Sequence, residues 1–258
     1  MLYASLASSS KGNCHAISDG ERILLIDAGI SHRKIVNRLK SIGWNPDLVL
    51  GVAITHEHGD HISGIPGILK KTNWTILATA ITLNEIKRIK RVEVPKERWI
   101  PLEAGRAEVW EGWRLQPFAI SHDAIDPVAY RIEAGGVRLA VITDLGRVTQ
   151  LVIECASDLE LLVLESNHDV GMVLECDRPD KTKARILDSV GHLSNDACAG
   201  LLAKVLSPAL RHVVLAHLSG ENNDPALARL AATEVINKMG SSAKLHVASR
   251  DEVLEVVV

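Results

Sequence analysis

Short β-branched and aliphatic runs alternate along the chain with segments whose apolar positions recur every three to four residues, the pattern of an α/β protein. Strands are predicted at LYASLAS (2–8), CHAIS (14–18) and RILLIDAG (22–29), the last after the Asp19-Gly20 turn signal. The segment 31–43 reads as a helix with Ser31 as N-cap and Gly43 as stop. A strand at LVLGVAIT (48–55) and a helix at 81–92 come next, then strands at 107–112, 114–121 and 128–134. The Gly135-Gly136 turn leads into VRLAVIT (137–143), which makes a hairpin. The second half repeats the style, with strands at 159–166, 212–217, 244–248 and 253–258 and helices near 180–190, 194–206 and 224–240. Strand-rich stretches with amphipathic helices in both halves imply two packed sheets with helices outside. No low-complexity segment or long linker divides the 258 residues, so a single domain over 1–258 is expected.

The apolar runs end in residues with chemistry to offer. GVAIT is succeeded by His56, LQPFAIS by His122, VRLAVIT by Asp144, and HVVLA by His217, while LELLVL leads to Glu165 and then His168. Ligands of open α/β sheets gather at such carboxyl ends. The densest stretch, AITHEHGDHISG, packs His56, His58, Asp60 and His61 into six positions. A core would have to find a polar partner for each imidazole, and a solvated loop has no need of them; a metal site needs them all. His56 and His58 alternate along an extended chain and can face one ion, with His122 completing its ligands. Asp60 and His61 can turn to a second ion with His217, and Asp144 can bridge the two. Two ions so held would be about 3.5–4 Å apart and could clamp a scissile ester or phosphodiester. Nitrogen and carboxylate donors without sulfur suit zinc, manganese or iron. Isolated histidines such as His15, His32, His212 and His246 read as ordinary core or surface residues.

Composition bounds the rest. Hydrophobic residues make up 47 % and charged residues 24 %, a globular balance, and aromatics only 3 %, which weighs against a stacking platform for single-stranded nucleic acid. A net charge of −3 means that any nucleic-acid contact needs a local basic patch. Residues 87–98, KRIKRVEVPKER, are the best candidate for one, and equally read as a solvated helix face. Four scattered cysteines indicate neither a disulfide framework nor a thiolate zinc site. With no secretion signal and no apolar run near the ~20 residues a membrane span needs, a cytoplasmic protein without membrane contact is expected. The polar turn SSSKGN (8–13), with Lys11 and Asn13, could hold a phosphate. Ser194 and Asn195 are candidate substrate donors, although Ser194 also fits a helix N-cap. His168 lies close enough to touch substrate and has no assigned role.

The motif His56-Glu57-His58-Gly59-Asp60-His61, with LLIDAG before it and His122, Asp144 and His217 after it in order, resembles the signature of the metallo-β-lactamase superfamily over nearly the whole chain. The resemblance implies an αββα four-layer sandwich, two mixed β-sheets flanked by helices, with a dinuclear site between the halves. It implies the same ligand division, and it makes Asp27 an outer carboxylate that orients the histidine loop. Asp144 at the bridging position is unlike true β-lactamases. FAISHDAIDPVAYRI, LESNHD, GHLSN and LAHLSGENN resemble the YycJ/WalJ group of bacterial nucleases, and Glu165 with GHLSN resembles the Glu and Gly-His-Ser pair of tRNase Z. By that match His192, supported by Glu165, is the general acid; in a two-metal mechanism Asp60 would hold the attacking water in line. Neither the inserted domain of RNase J nor the long arm of tRNase Z is present in the sequence. The resemblance implies a manganese-dependent 5′-to-3′ exonuclease on duplex DNA, linked to repair, holding two divalent ions (zinc or manganese); a homodimer is compatible with it. Two other readings stand beside it: a small-substrate hydrolase of the same fold (cyclic phosphodiesterase, lactonase or weak β-lactamase), and a non-catalytic DNA-binding or scaffold protein.

Overall fold

The computed structural model describes residues 1–258. The first sheet takes β1 (Leu2–Ala7), β2 (Cys14–Ser18), β3 (Ile23–Ile26), β4 (Val49–Ala53), β5 (Thr75–Thr79) and β6 (Trp99–Leu102). The second takes β7 (Glu108–Trp110), β8 (Trp113–Ala119), β9 (Val128–Ala134), β10 (Val137–Ile142), β11 (Leu161–Glu165), β12 (His212–Ala216) and β13 (Lys244–Val247). The last strand, β14 (Leu254–Val257), returns to the first sheet beside β1. The strand orders are β14-β1-β2-β3-β4-β5-β6 and β13-β12-β11-β10-β9-β8-β7. Each sheet is antiparallel on one side and parallel on the other. The architecture is the expected pair of mixed sheets flanked by helices.

Alternation of side chains along each strand builds three apolar layers. In β3, Ile23 and Leu25 face outward to helices α1 (His32–Ser41) and α3 (Ile65–Lys71), while Leu24 and Ile26 face the other sheet. In β11, Leu161 and Val163 face inward; Leu162 and Leu164 pack toward helices α5 (Gln150–Cys155) and α8 (Asn195–Val205). Strands buried on both faces carry continuous apolar runs, which is why these segments read so strongly in the sequence. Helix starts obey their caps: Ser31, Ser194 and Asp224 accept from the first-turn amides of α1, α8 and α9 (Pro225–Lys238). The β9–β10 hairpin turns on Gly135 and Gly136, whose φ of 57° and 77° are the positive values such a turn requires. No helix is long and apolar enough to cross a membrane.

Several elements escape the sequence pattern. β5 runs directly into α4 (Ala80–Lys90), with Thr79 as both the last strand residue and the N-cap, so no Gly or Pro marks the change of period. β6 contains Pro101, which demotes a strand by sequence; it lies at the sheet edge, where a missing N–H is tolerated. α3, α5 and α6 (Val170–Glu175) are six or seven residues long, too short for their periodicity to show. The basic segment 87–98 lies on the last turn of α4 and the approach to β6. α4 carries the chain from the carboxyl end of β5 back to the start of parallel β6, so this segment sits at the end of the sheet away from the histidines. That position separates the stretch from the histidine cluster. Two of its six basic residues have local polar partners: Arg88 pairs with Glu85, and Arg98 donates to the carbonyls of Leu69 (2.9 Å) and Trp74 (2.8 Å).

Two contacts clamp the sheets just before the histidine motif. The buried Tyr130 hydroxyl donates to Ile54 O at 2.7 Å, and Val128 N donates to Thr55 O at 3.1 Å. Tyr130→Phe strands the Ile54 carbonyl between the sheets. It is expected to lower stability by about 1–3 kcal/mol, read as a reduced urea midpoint with an unchanged slope.

Candidate metal centre

The strand ends converge as their sequence positions suggest. β8, β10, β11 and β12 run in one direction, so His122, Asp144, Glu165 and His217 emerge at one edge of the second sheet. β4 and the short helix α2 (Gly59–Ile62) bring His56, His58, Asp60 and His61 to meet them from the first sheet. Three of the site residues need a left-handed backbone to turn inward: Asp27 (φ 62°), Asp144 (φ 58°) and His217 (φ 55°). Such values are uncommon outside glycine and concentrate at functional sites. Here they are held from outside. The His217 amide donates to Ser8 Oγ at 2.7 Å, and its carbonyl accepts from Asn167 Nδ2 at 2.8 Å.

Ligand-capable atoms fall into overlapping groups: His56, His58 and His122; Asp60, His61 and His217; and His56, His61 and Asp144. His58 Nδ1 is 3.2 Å from His122 Nε2, and His61 Nε2 is 3.2 Å from Asp144 Oδ2. Asp60 Oδ2 lies 3.4 Å from His61 Nε2 and 3.5 Å from His217 Nε2. Asp144 reaches both groups, with Oδ1 3.6 Å from His122 Nε2. Donors surrounding one ion at 2.0–2.1 Å in a tetrahedron sit about 3.3 Å apart, so this crowding suits a shared cation.

The tautomers fit a metal as well. His61 Nδ1 donates to Asp27 Oδ2 (2.8 Å), His122 Nδ1 to Gly191 O (3.1 Å) and His217 Nδ1 to Glu165 Oε1 (2.7 Å). His56 Nδ1 donates to Thr55 Oγ1 (3.0 Å), whose own hydroxyl reaches Asp27 Oδ2 at 2.9 Å. Each of these rings therefore directs Nε2 to the centre. The buried Nε2 of His56 and of His217, and Oδ2 of Asp144, have no hydrogen-bond partner. Buried polar atoms without partners are costly unless something else binds them. The donor set fits a divalent cation, with the outer hydrogen bonds that metal-ligating histidines normally make.

The electrostatics of the metal-free chain point the same way. Burial opposes the charge of His61, but Asp144, Asp27 and Asp60 outweigh it and hold the imidazole well above its usual pKa. His217, against the same opposition, is pushed up to about 10 by Asp144, Asp60 and Glu165. His56 and His122 are driven down by burial. His192 is raised despite burial, chiefly by Glu165. Burial would raise Glu165, but His192 and His217 hold it down at about 2.

The candidate substrate residues behave differently. Lys11 lines a polar cavity of ≈ 800 Å³ next to His192, together with Ser8, Ser9, Asn222 and Asn223. Asn13 does not line it: its amide donates to Ser9 O at 3.0 Å and lies 3.2 Å from His61 Nε2 and 3.4 Å from Asp60 Oδ2. Ser194 caps α8. Asn195 is buried, accepting from Ser166 Oγ (2.6 Å) and pairing with Asn223. His168 is buried, and its backbone pairs with Ser194. None of Ser194, Asn195 and His168 lines that cavity, and the side chains of Asn195 and His168 are buried. Sequence reasoning missed Thr55, which links Asp27 to His56, and Asp123, whose Oδ1 lies 3.4 Å from His122 Nε2. Thr55 carries a signal in hindsight, a hydroxyl at the strand end immediately before the motif; Asp123 carries none beyond adjacency to His122.

Asp27→Asn, which turns an acceptor of three hydrogen bonds into a mixed group, is expected to weaken divalent-metal binding 10–100-fold by equilibrium dialysis. Metal binding near pH 7 is expected to release protons, read by calorimetry in buffers of different ionisation enthalpy, because His61 and His217 must lose theirs. The raised His217 stabilises the metal-free chain fully below about pH 6.5, and that contribution is lost as pH rises through about 10.

The model of the β-lactamase superfamily domain matches residues 22–218. The exodeoxyribonuclease YycJ of Bacillus anthracis is 33% identical over 92% of this chain and 90% of its own. The exodeoxyribonuclease WalJ of Streptococcus pneumoniae is 31% identical over 88% of this chain and 85% of its own. The crystal structure of the metallo-β-lactamase fold protein YhfI from Bacillus subtilis superposes with a TM-score of 0.73 at 15% identity, covering 99% of both chains. With that fold and this donor set, the chain belongs to the β-lactamase superfamily and is a metal-dependent hydrolase.

Proposed function

We propose that the chain is a dinuclear-metal phosphodiesterase that removes nucleotides from duplex DNA in the 5′-to-3′ direction, in the cytoplasm and in the service of repair. The names of its YycJ and WalJ relatives support the substrate class. The observation that carries the chemistry is a shared carboxylate oxygen. Glu165 Oε1 accepts from His217 Nδ1 at 2.7 Å and from His192 Nδ1 at 3.0 Å, so one group holds a metal-binding imidazole and a second, partly exposed one side by side. In this reading His56, His58 and His122 would hold one ion and Asp60, His61 and His217 the other, with Asp144 within reach of both groups. Such ions, manganese being the expected choice, supply charge stabilisation at the phosphate and a nucleophile at neutral pH.

The protein's own groups do the rest. Asp60 is kept ionised by His61 and His217, so it can accept a hydrogen bond from the attacking water and aim it. His192 has its Nδ1 fixed on Glu165, which leaves Nε2 to face the cleft that it lines. The same carboxylate favours the protonated ring, so Nε2–H can be given to the departing oxygen near neutral pH. The ring then carries no net charge and recovers its proton from solvent.

The test is a time course with manganese on 5′-phosphorylated duplex DNA labelled at either end. Stepwise loss from the 5′ end, absent in Asp60→Ala, is the expected result; no cleavage above the variant would remove DNA as substrate. His192→Asn is expected to lower kcat 10²–10⁴-fold and to abolish the alkaline limb of the pH profile, where wild-type activity falls as His192 loses its proton. His168→Ala should cost far less than Asp60→Ala.

A further inference from the structure

The helix α7 (Asp180–Leu187) forms one wall of the cavity beside His192, and none of its residues is buried. It carries Arg185, whose side chain is 66% exposed and whose Nε donates to Asp123 Oδ2 at 2.6 Å, with Nη2 also 2.6 Å from that oxygen. Asp123 immediately succeeds His122, and its other oxygen lies 3.4 Å from His122 Nε2, the nitrogen turned to the metal centre. A planar cation is thus held one carboxylate away from the ligands, in solvent, at the mouth of the cleft. Just before α7, Arg178 is tied in the same way to Glu221. Lys11, Ser8, Ser9 and Ser10 line the same cavity.

From this placement, and resting on the phosphodiesterase reading above, we propose that Arg185 is a phosphate clamp for the substrate strand, held in readiness by Asp123 and released to a phosphate flanking the scissile one. Three features carry it. An exposed arginine–carboxylate pair is weak in water, so a competing anion can break it at little cost. A guanidinium recognises a phosphate with two parallel hydrogen bonds, and it is the Nε/Nη2 edge of Arg185 that now faces Asp123. The cavity it faces is lined mostly by polar residues and is of a size that takes a nucleotide-sized group. The basic segment 87–98, which composition favoured for this task, lies at the far end of the sheet. The local cations on α7 replace it in a chain whose net charge is −3.

The test compares wild type, Arg185→Gln and Arg185→Lys, all loaded with manganese, on short 5′-phosphorylated duplex DNA at several salt concentrations. Metal content is measured in parallel. Arg185→Gln is expected to raise KM about tenfold with kcat changed far less, the signature of lost binding that is equal in ground and transition states. The plot of log(kcat/KM) against log salt should become shallower by about 0.7–0.9, one phosphate contact fewer. Arg185→Lys should restore the slope, because the charge remains, but recover KM only in part, because the fork is gone. Unchanged KM and slope in Arg185→Gln would overturn the clamp while leaving the nuclease intact. A fall in kcat or metal content at constant KM would also overturn it, since Arg185 would then merely brace Asp123 and His122. Wild type that leaves DNA uncut would be recognised before any variant is compared, and would remove the phosphodiesterase reading and the clamp together.

Discussion

Glu165 is completely buried at the end of β11, and four N–H groups surround its charge. Leu145 N (2.7 Å) and Leu193 N (3.0 Å) donate to Oε2, and His217 Nδ1 (2.7 Å) and His192 Nδ1 (3.0 Å) to Oε1. An isolated carboxylate could not remain ionised there, and this one is held ionised because all four of its hydrogen-bond partners are N–H donors. The constraint reaches in three directions. It fixes the backbone after Asp144, it fixes the loop that carries His192, and it selects the His217 tautomer that turns Nε2 to the metal centre. β11 is flanked by β10 and β12 on either side, so this carboxylate stands on a rigid part of the second sheet.

The first sheet has a counterpart in Asp27, which accepts from the Thr55 amide, the Thr55 hydroxyl and His61 Nδ1. Each sheet therefore contributes one buried carboxylate that orients imidazoles, and the cation-binding atoms meet in between. The close fit extends to the backbone. A Cβ on Gly29 would lie 1.6 Å from Asp60 O, so the LLIDAG turn can pack against the histidine loop only with glycine at that position. The left-handed residues Asp27, Asp144 and His217 store local strain that Ser8, Asn167 and the Thr55–Asp27 contacts hold in place. The apolar layers and the Tyr130–Ile54 bond keep the two halves in register, so geometry at the centre depends on packing well away from it.

Much of this was legible because it is local. The histidine motif crowds its donors into six positions, and His122, Asp144, Glu165 and His217 each stand at the end of a buried apolar run. Strand ends in an α/β fold face one edge, so position along the chain became position in space. The elements hidden from the sequence were those without punctuation, as in β5, or with a contrary residue, as in Pro101 of β6. The parts of the site that stayed hidden depend on contacts between distant segments. Asn13 looked like a phosphate donor and instead lies against His61 and Asp60, because the turn after β1 folds onto the histidine loop. Asn195 read as a candidate substrate donor and is enclosed by Ser166 and Asn223. Charge density pointed to residues 87–98, but composition cannot say at which end of a sheet a helix terminates. Arg185 and Asp123, 62 residues apart, form a pair that no local pattern announces.

The most direct measurement is on Glu165→Gln, which keeps the shape of the side chain but sets an amide N–H against N–H donors. Metal affinity and the pH profile of kcat/KM would be determined together. If one carboxylate organises both the metal centre and the proton donor, affinity falls by about tenfold or more and the alkaline limb moves to lower pH as His192 loses its anionic partner. Unchanged affinity together with an unmoved alkaline limb would contradict that coupling and leave Glu165 as a buried charge without a part in the chemistry.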